Sequence, residues 1–115
     1  MAPRNHDTGP NGVTVDHLID RIFPVIDDLL GQLDGDEFTT SDFIDLMQSV
    51  PGAAEAYSQA LVAWGEAERP GKMVIHGQII PGALRRSTKV EWLGFAHGEI
   101  DEYAVPAWWR LKQKD

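Results

Sequence analysis

The chain has 115 residues, 43% of them apolar, with a net charge of −8 at neutral pH and no cysteine. A chain of this size supplies one domain with one modest core and leaves no room for a second domain. Disulfide scaffolds, thiolate metal sites and cysteine nucleophiles are excluded, and a protein that needs no oxidising compartment fits the cytoplasm.

The N-terminal string "MAPRNHDTGPNG" carries no apolar signal core. No later run reaches the roughly 18 uninterrupted apolar residues of a membrane span. Residues 1–12 therefore read as a disordered tail, 13–112 as a single domain and 113–115 as a short tail. Charge is unevenly placed: residues 1–71 hold three basic against thirteen acidic residues, and residues 72–115 hold seven basic against five acidic. The overall sign repels phosphate at long range, so any nucleic-acid contact has to come from a local patch or from two copies acting together.

From Thr14 to Leu33, the residues Val15, Ile19, Ile22, Ile26, Leu29 and Leu33 follow each other at heptad spacing, which predicts a helix. That seam can serve as a core face or as a homodimer contact. Pro24 inside the pattern predicts a kink or a split. In "EFTTSDFIDLM", Thr39 is the expected N-cap of the next helix. Asp42 then stands at N3, where a carboxylate returns to the cap amide, and Phe38 and Phe43 form a hydrophobic staple. That helix ends near Ser49. Pro51 opens another, in which Tyr57, Leu61 and Trp64 share one face before "RPGK".

The last third changes character. "MVIHGQIIPGALRRS" reads either as a kinked helix or as an extended lead into a helix over 81–87, because Gly77, Pro81 and Gly82 are poor helix-interior residues. "KVEWLGF" and "EYAVPAWWRL" flank the polar connector "AHGEID" and predict a β-hairpin. Pro106 suggests that its second strand is an edge. Trp108 and Trp109 must face opposite sides of a strand, so one is exposed, with Trp109 assigned as a partner contact.

In this order the elements resemble a winged helix-turn-helix domain over residues 14–112. The resemblance rests on "EFTTSDFIDLM" as the capped helix, "GQIIPGALRRS" as the recognition helix and "KVEWLGFAHGEIDEYAVPAWW" as the wing. It implies an α+β, mainly helical fold with a C-terminal β-hairpin wing, a recognition helix in the DNA major groove and a wing near phosphate. Carried onto this chain, it places Gln78, Arg85, Arg86, Ser87 and Lys89 on or just after the recognition helix, with Arg110 and Lys112 tracking the backbone. The alternative for "RRSTK" is a solvated helix end whose cations complement the dipole. Glu99, Asp101 and Glu102 in the wing run against phosphate contact.

Trp92, Phe95, Tyr103, Trp108 and Trp109 are either a stacking platform for single-stranded bases or, more simply, the apolar content of a small sheet. His6, His17, His76 and His97 lack metal-like spacing, although His76 and His97 could meet in space. "LDGDEFTTSDF" lacks the glycine of a calcium loop, and no phosphate loop, nucleophile elbow or HExxH is present. No catalytic residue, metal or cofactor is therefore expected. The expected function is non-catalytic binding of double-stranded DNA, as a transcriptional regulator or accessory factor, with a homodimer formed through the first helix. The alternative is an acidic adaptor on the same scaffold, binding a basic protein through Asp27, Asp28, Asp42, Asp45 and Trp109.

Overall fold

The heptad on the first helix faces inward. A computed structural model describes residues 10, 12–33, 35–65, 68–98 and 101–112. Most of the expected tail 1–12 and all of 113–115 lie outside these. Helix α1 (Val15–Leu30) is capped by Thr14, whose hydroxyl accepts from the His17 amide at 3.0 Å. Val15, Ile19, Ile22, Ile26 and Leu29 are all buried in the protein's own core. The seam predicted as a possible dimer contact is thus taken up by intramolecular packing. Pro24 does not split the helix. Pro24 and Asp20 both lie on the exposed side, where water can satisfy the carbonyl that proline leaves unpaired.

A strand not foreseen from the sequence, β1 (Glu37–Thr39), leads directly into α2 (Thr40–Ser49). The capping box forms as expected. The Thr39 hydroxyl accepts from the Asp42 amide at 3.0 Å, and the Asp42 carboxylate accepts from the Thr39 amide at 3.1 Å. The Phe38 and Phe43 rings meet at 5.8 Å, closing the staple. Helix α3 (Pro51–Trp64) follows after Val50 alone, with proline in its first turn and Gly65 ending it in the left-handed region.

Residues 69–86 settle the ambiguity in favour of helix. Helix α4 (Arg69–Val74) passes into a π turn (Ile75–Ile79) and on into α5 (Ile80–Arg86). The π turn changes the helical register in the middle of this rod, and such turns concentrate at functional positions. Two glycines are explained by close approach. A Cβ at Gly82 would lie 2.5 Å from the Ile19 side chain of α1, and one at Gly77 would lie 3.3 Å from Ala104.

Strands β2 (Val90–Phe95) and β3 (Ala107–Leu111) form the predicted hairpin, and β1 completes an antiparallel sheet of order β1-β3-β2. β3 is therefore central, contrary to the edge position inferred from Pro106. The proline stands just before the strand, where no ladder donor is required of it, and its carbonyl accepts from the Ala96 amide at 2.8 Å. The Thr40 hydroxyl joins helices to sheet, accepting from the Ala107 amide at 3.1 Å and from the Trp109 indole N–H at 2.9 Å. The result is an α+β, mainly helical fold with its core between α1, α2, α3, the π turn, α5 and one face of the sheet. Among the described residues no helix is long and apolar enough to cross a membrane.

Candidate functional site

Cations near the end of α5 divide by what they touch. Arg86 reaches back to α1, paired with Asp20 and lying 3.9 Å from Asp16. Lys89 pairs with Asp27 at 3.2 Å, and the Ser87 hydroxyl donates to the same carboxylate at 2.8 Å. The Ser87 hydroxyl bond, more than Lys89, holds the Asp27 carboxyl below its ordinary range. Arg110 sits on the outer face of the sheet between Glu37 and Glu91, each at 3.5 Å. Four of the seven residues expected to touch nucleic acid thus serve internal contacts, while Gln78, Arg85 and Lys112 remain exposed.

Arg85, Arg69 and Lys72 have no carboxylate partner among the described residues, and each lies over an aromatic ring of the hairpin. Arg85 is 5.8 Å from the Trp92 ring centre, whereas Arg69 and Lys72 are 5.6 and 5.5 Å from that of Tyr103. The Arg69 guanidinium also donates to the Glu102 carbonyl at 2.8 Å. The first two turns of the rod therefore supply two cations that sequence reading missed. Residues 69 and 72 become neighbours of the hairpin only when residues 101–104 fold back over the rod.

That fold-back is held by a buried chain of polar groups. The Tyr57 hydroxyl lies 2.7 Å from His76 Nε2, and His76 Nδ1 lies 2.9 Å from Asp101 Oδ2. An ionised carboxylate can only accept, so Nδ1 carries the proton and, with the imidazole neutral, the Tyr57 O–H donates to Nε2. The other Asp101 oxygen accepts from the Tyr103 amide at 2.8 Å, and the Tyr103 ring packs edge-on against the imidazole at 4.9 Å. The His76 and Asp101 side chains are only 7% and 6% exposed. A shallow cleft beside them is lined by Ser41, Asp45, Gln48, His76, Asp101 and Tyr103. The His76 Nε2 lone pair is directed at the buried Tyr57 hydroxyl. The chain ties α3, the π turn and the hairpin connection together. Asp101, expected to repel phosphate from the wing, is turned inward, and Glu99 lies outside the described residues. His76 and His97 do not meet, since His97 is exposed beside Phe95.

Burial pushes the Tyr57 phenol up to about 12, with the Tyr103 and Asp101 charges adding to the effect. A raised acid pKa means that the fold favours the neutral phenol. This contribution is intact below the unfolded value near 10 and is lost as pH rises from about 10 to about 12. Wild type is expected to lose on the order of 2–3 kcal/mol in that window through this group. Tyr57→Phe should lose less across the same interval, measured by urea unfolding at each pH beside tyrosinate absorbance.

The residues of the adaptor expectation separate as well. Asp27 and Asp42 are engaged in an ion pair and a capping box, whereas Asp28 and Asp45 are exposed. Trp109, assigned as the exposed tryptophan, is fully buried, and Trp108 is the exposed one at 37%. Comparison of the chain with protein-family models, curated proteins and solved structures gives no significant match.

Proposed function

We propose that this protein is a non-catalytic DNA-binding module of winged helix-turn-helix type, a transcriptional regulator or accessory factor of the cytoplasm, in which the rod 69–86 and the hairpin form the binding face. The observation that carries this reading is the sorting of the cations. Arg86 and Lys89, which reach the carboxylates of α1, and Arg110 on the outer sheet face are neutralised, while Arg69, Lys72 and Arg85 stand on the rod, beside the hairpin, without a carboxylate among the described residues. The order β1-β3-β2, with the hairpin following the last helix, supports the winged architecture. Exposed Gln78 adds a side chain able to address a base edge.

The test is fluorescence anisotropy of a labelled mixed-sequence duplex titrated with the full chain at several salt concentrations. Three phosphate contacts predict a slope of about −3 in log affinity against log salt. Arg69→Ala combined with Arg85→Ala should flatten the slope by about two. Arg86→Ala should leave it nearly unchanged, because that cation is already paired. Absence of duplex binding at about 50 mM salt overturns the reading.

A second reading is favoured by one observation, the exposed apolar side chains Leu93, Val105 and Trp108 on the hairpin. An adaptor would use them against a partner protein, with Asp28 and Asp45 facing its basic residues. On that reading the same titration shows no duplex binding.

A further inference from the structure

Strand β2 carries a row of exposed rings that neither the core nor the internal ion pairs account for. Trp92 and Phe95 are 44% and 54% exposed, and their rings meet edge to face at 5.5 Å. The row extends to the exposed His97 imidazole, 5.8 Å from Phe95, and at its other end to Arg85, 5.8 Å from Trp92. β2 is an outer strand of the sheet, and among the described residues no further strand pairs with its free edge. Trp92 stands opposite Trp109 in the pairing register and so belongs to the helix-facing side of the sheet. Its neighbour Glu91 points the other way and is held there by Arg110. The one described carboxylate within the strand is thereby kept off the ring face.

A row that runs cation, indole, phenyl, imidazole matches a ligand that repeats a flat π face and an anion. We propose that Arg85, Trp92, Phe95 and His97 form a stacking site for the unpaired bases of a nucleic acid, with Arg85 taking a phosphate. This rests on the DNA-binding reading and narrows it. The bases of a closed duplex are stacked on each other and offer no free face, so the row engages a single strand or an opened end. An apolar protein segment would cover the rings but would leave the Arg85 charge buried without an anion.

The experiment compares a fluorescein-labelled oligothymidylate of about 15 nucleotides with a duplex of equal length, in titrations of the full chain at low salt. The single strand is expected to bind more tightly and to quench tryptophan emission. Trp92→Ala and Phe95→Ala should each weaken single-strand binding by roughly ten- to a hundredfold, with Trp92→Phe retaining most of it. Trp108→Ala removes a ring from the opposite face of the sheet and should change nothing. Since Trp92 and Phe95 are both about half exposed, their alanine variants should keep the wild-type circular dichroism and lower the unfolding midpoint only modestly, leaving the chain folded under the titration conditions. Duplex binding with no single-strand preference, or with Trp92→Ala and Phe95→Ala at wild-type affinity, overturns the stacking site and leaves the DNA-binding reading standing. If neither oligonucleotide binds and the chain elutes as a dimer that Trp92→Ala dissociates, the row is a contact between copies and both readings fall.

Discussion

Trp109→Ala is expected to lower the free energy of unfolding by about 3–5 kcal/mol, against a total of about 5–15 kcal/mol for a domain of this size. The indole is fully buried at the middle of the central strand, with Phe38 opposite it on β1 and Trp92 opposite it on β2. Truncation leaves a cavity bounded by both neighbouring strands, and it removes the indole N–H that donates to the Thr40 hydroxyl, the group joining α2 to the sheet. Collapse cannot fill that cavity without disturbing two strand pairings. Trp108→Ala, one residue earlier and on the outer face, is expected to cost less than about 1 kcal/mol. Urea unfolding of the pair, with the m-value held constant, measures the difference. Equal losses, or the larger one at Trp108, would mean that β3 is paired one residue out of the register described, because such a slip exchanges the two faces of a strand.

The pair also shows where sequence reading runs out. Alternation along a strand says that Trp108 and Trp109 face opposite sides, but the side that meets the core depends on a register set by β1 and β2, far away in the chain. Features encoded within one helical turn were legible: Thr39, Asp42, Phe38 and Phe43 describe the start of α2 with no outside information. The apolar period of α1 was equally clear, although period alone cannot say whether a buried face belongs to a core or to a dimer. Strand β1 was missed because three residues carry too little pattern. The fates of Arg86, Lys89 and Asp101 were illegible for a different reason. Each is decided by a partner 25 to 66 residues distant. Formal charge along the chain therefore overstated how many cations remain for a ligand, and it overlooked Arg69 and Lys72, which gain their aromatic neighbour only through tertiary folding.

Asp101→Asn is expected to cost about 2–3 kcal/mol although it changes a single atom. The carboxylate accepts from His76 Nδ1 through one oxygen and from the Tyr103 amide through the other, so both positions require an acceptor. An asparagine offers one acceptor and one NH₂ group. Turned one way, its NH₂ faces the Tyr103 amide donor; turned the other, it faces Nδ1, and the imidazole must move its proton to Nε2, which leaves the Tyr57 O–H without its acceptor in a largely buried site. Tyr57→Phe removes the other end of the chain, leaving His76 Nε2 without its donor, and should cost about 1 kcal/mol. The two losses should not add, because both act through one imidazole; a double-mutant cycle is expected to return a coupling of about 0.5–1.5 kcal/mol. Local consequences should exceed global ones. In Asp101→Asn the Tyr103 amide should exchange with solvent much faster, while amides in the centre of α1 slow down or speed up only in proportion to the overall stability change. Unchanged exchange at Tyr103 would mean that the fold-back over the rod is held by the Tyr103 ring packing and the Arg69–Glu102 bond instead of by the buried carboxylate. If the latch acts as described, releasing it also separates Tyr103 from Arg69 and Lys72. On the DNA-binding proposal, the salt slope of duplex titration should then change in a variant whose substituted residue touches no phosphate.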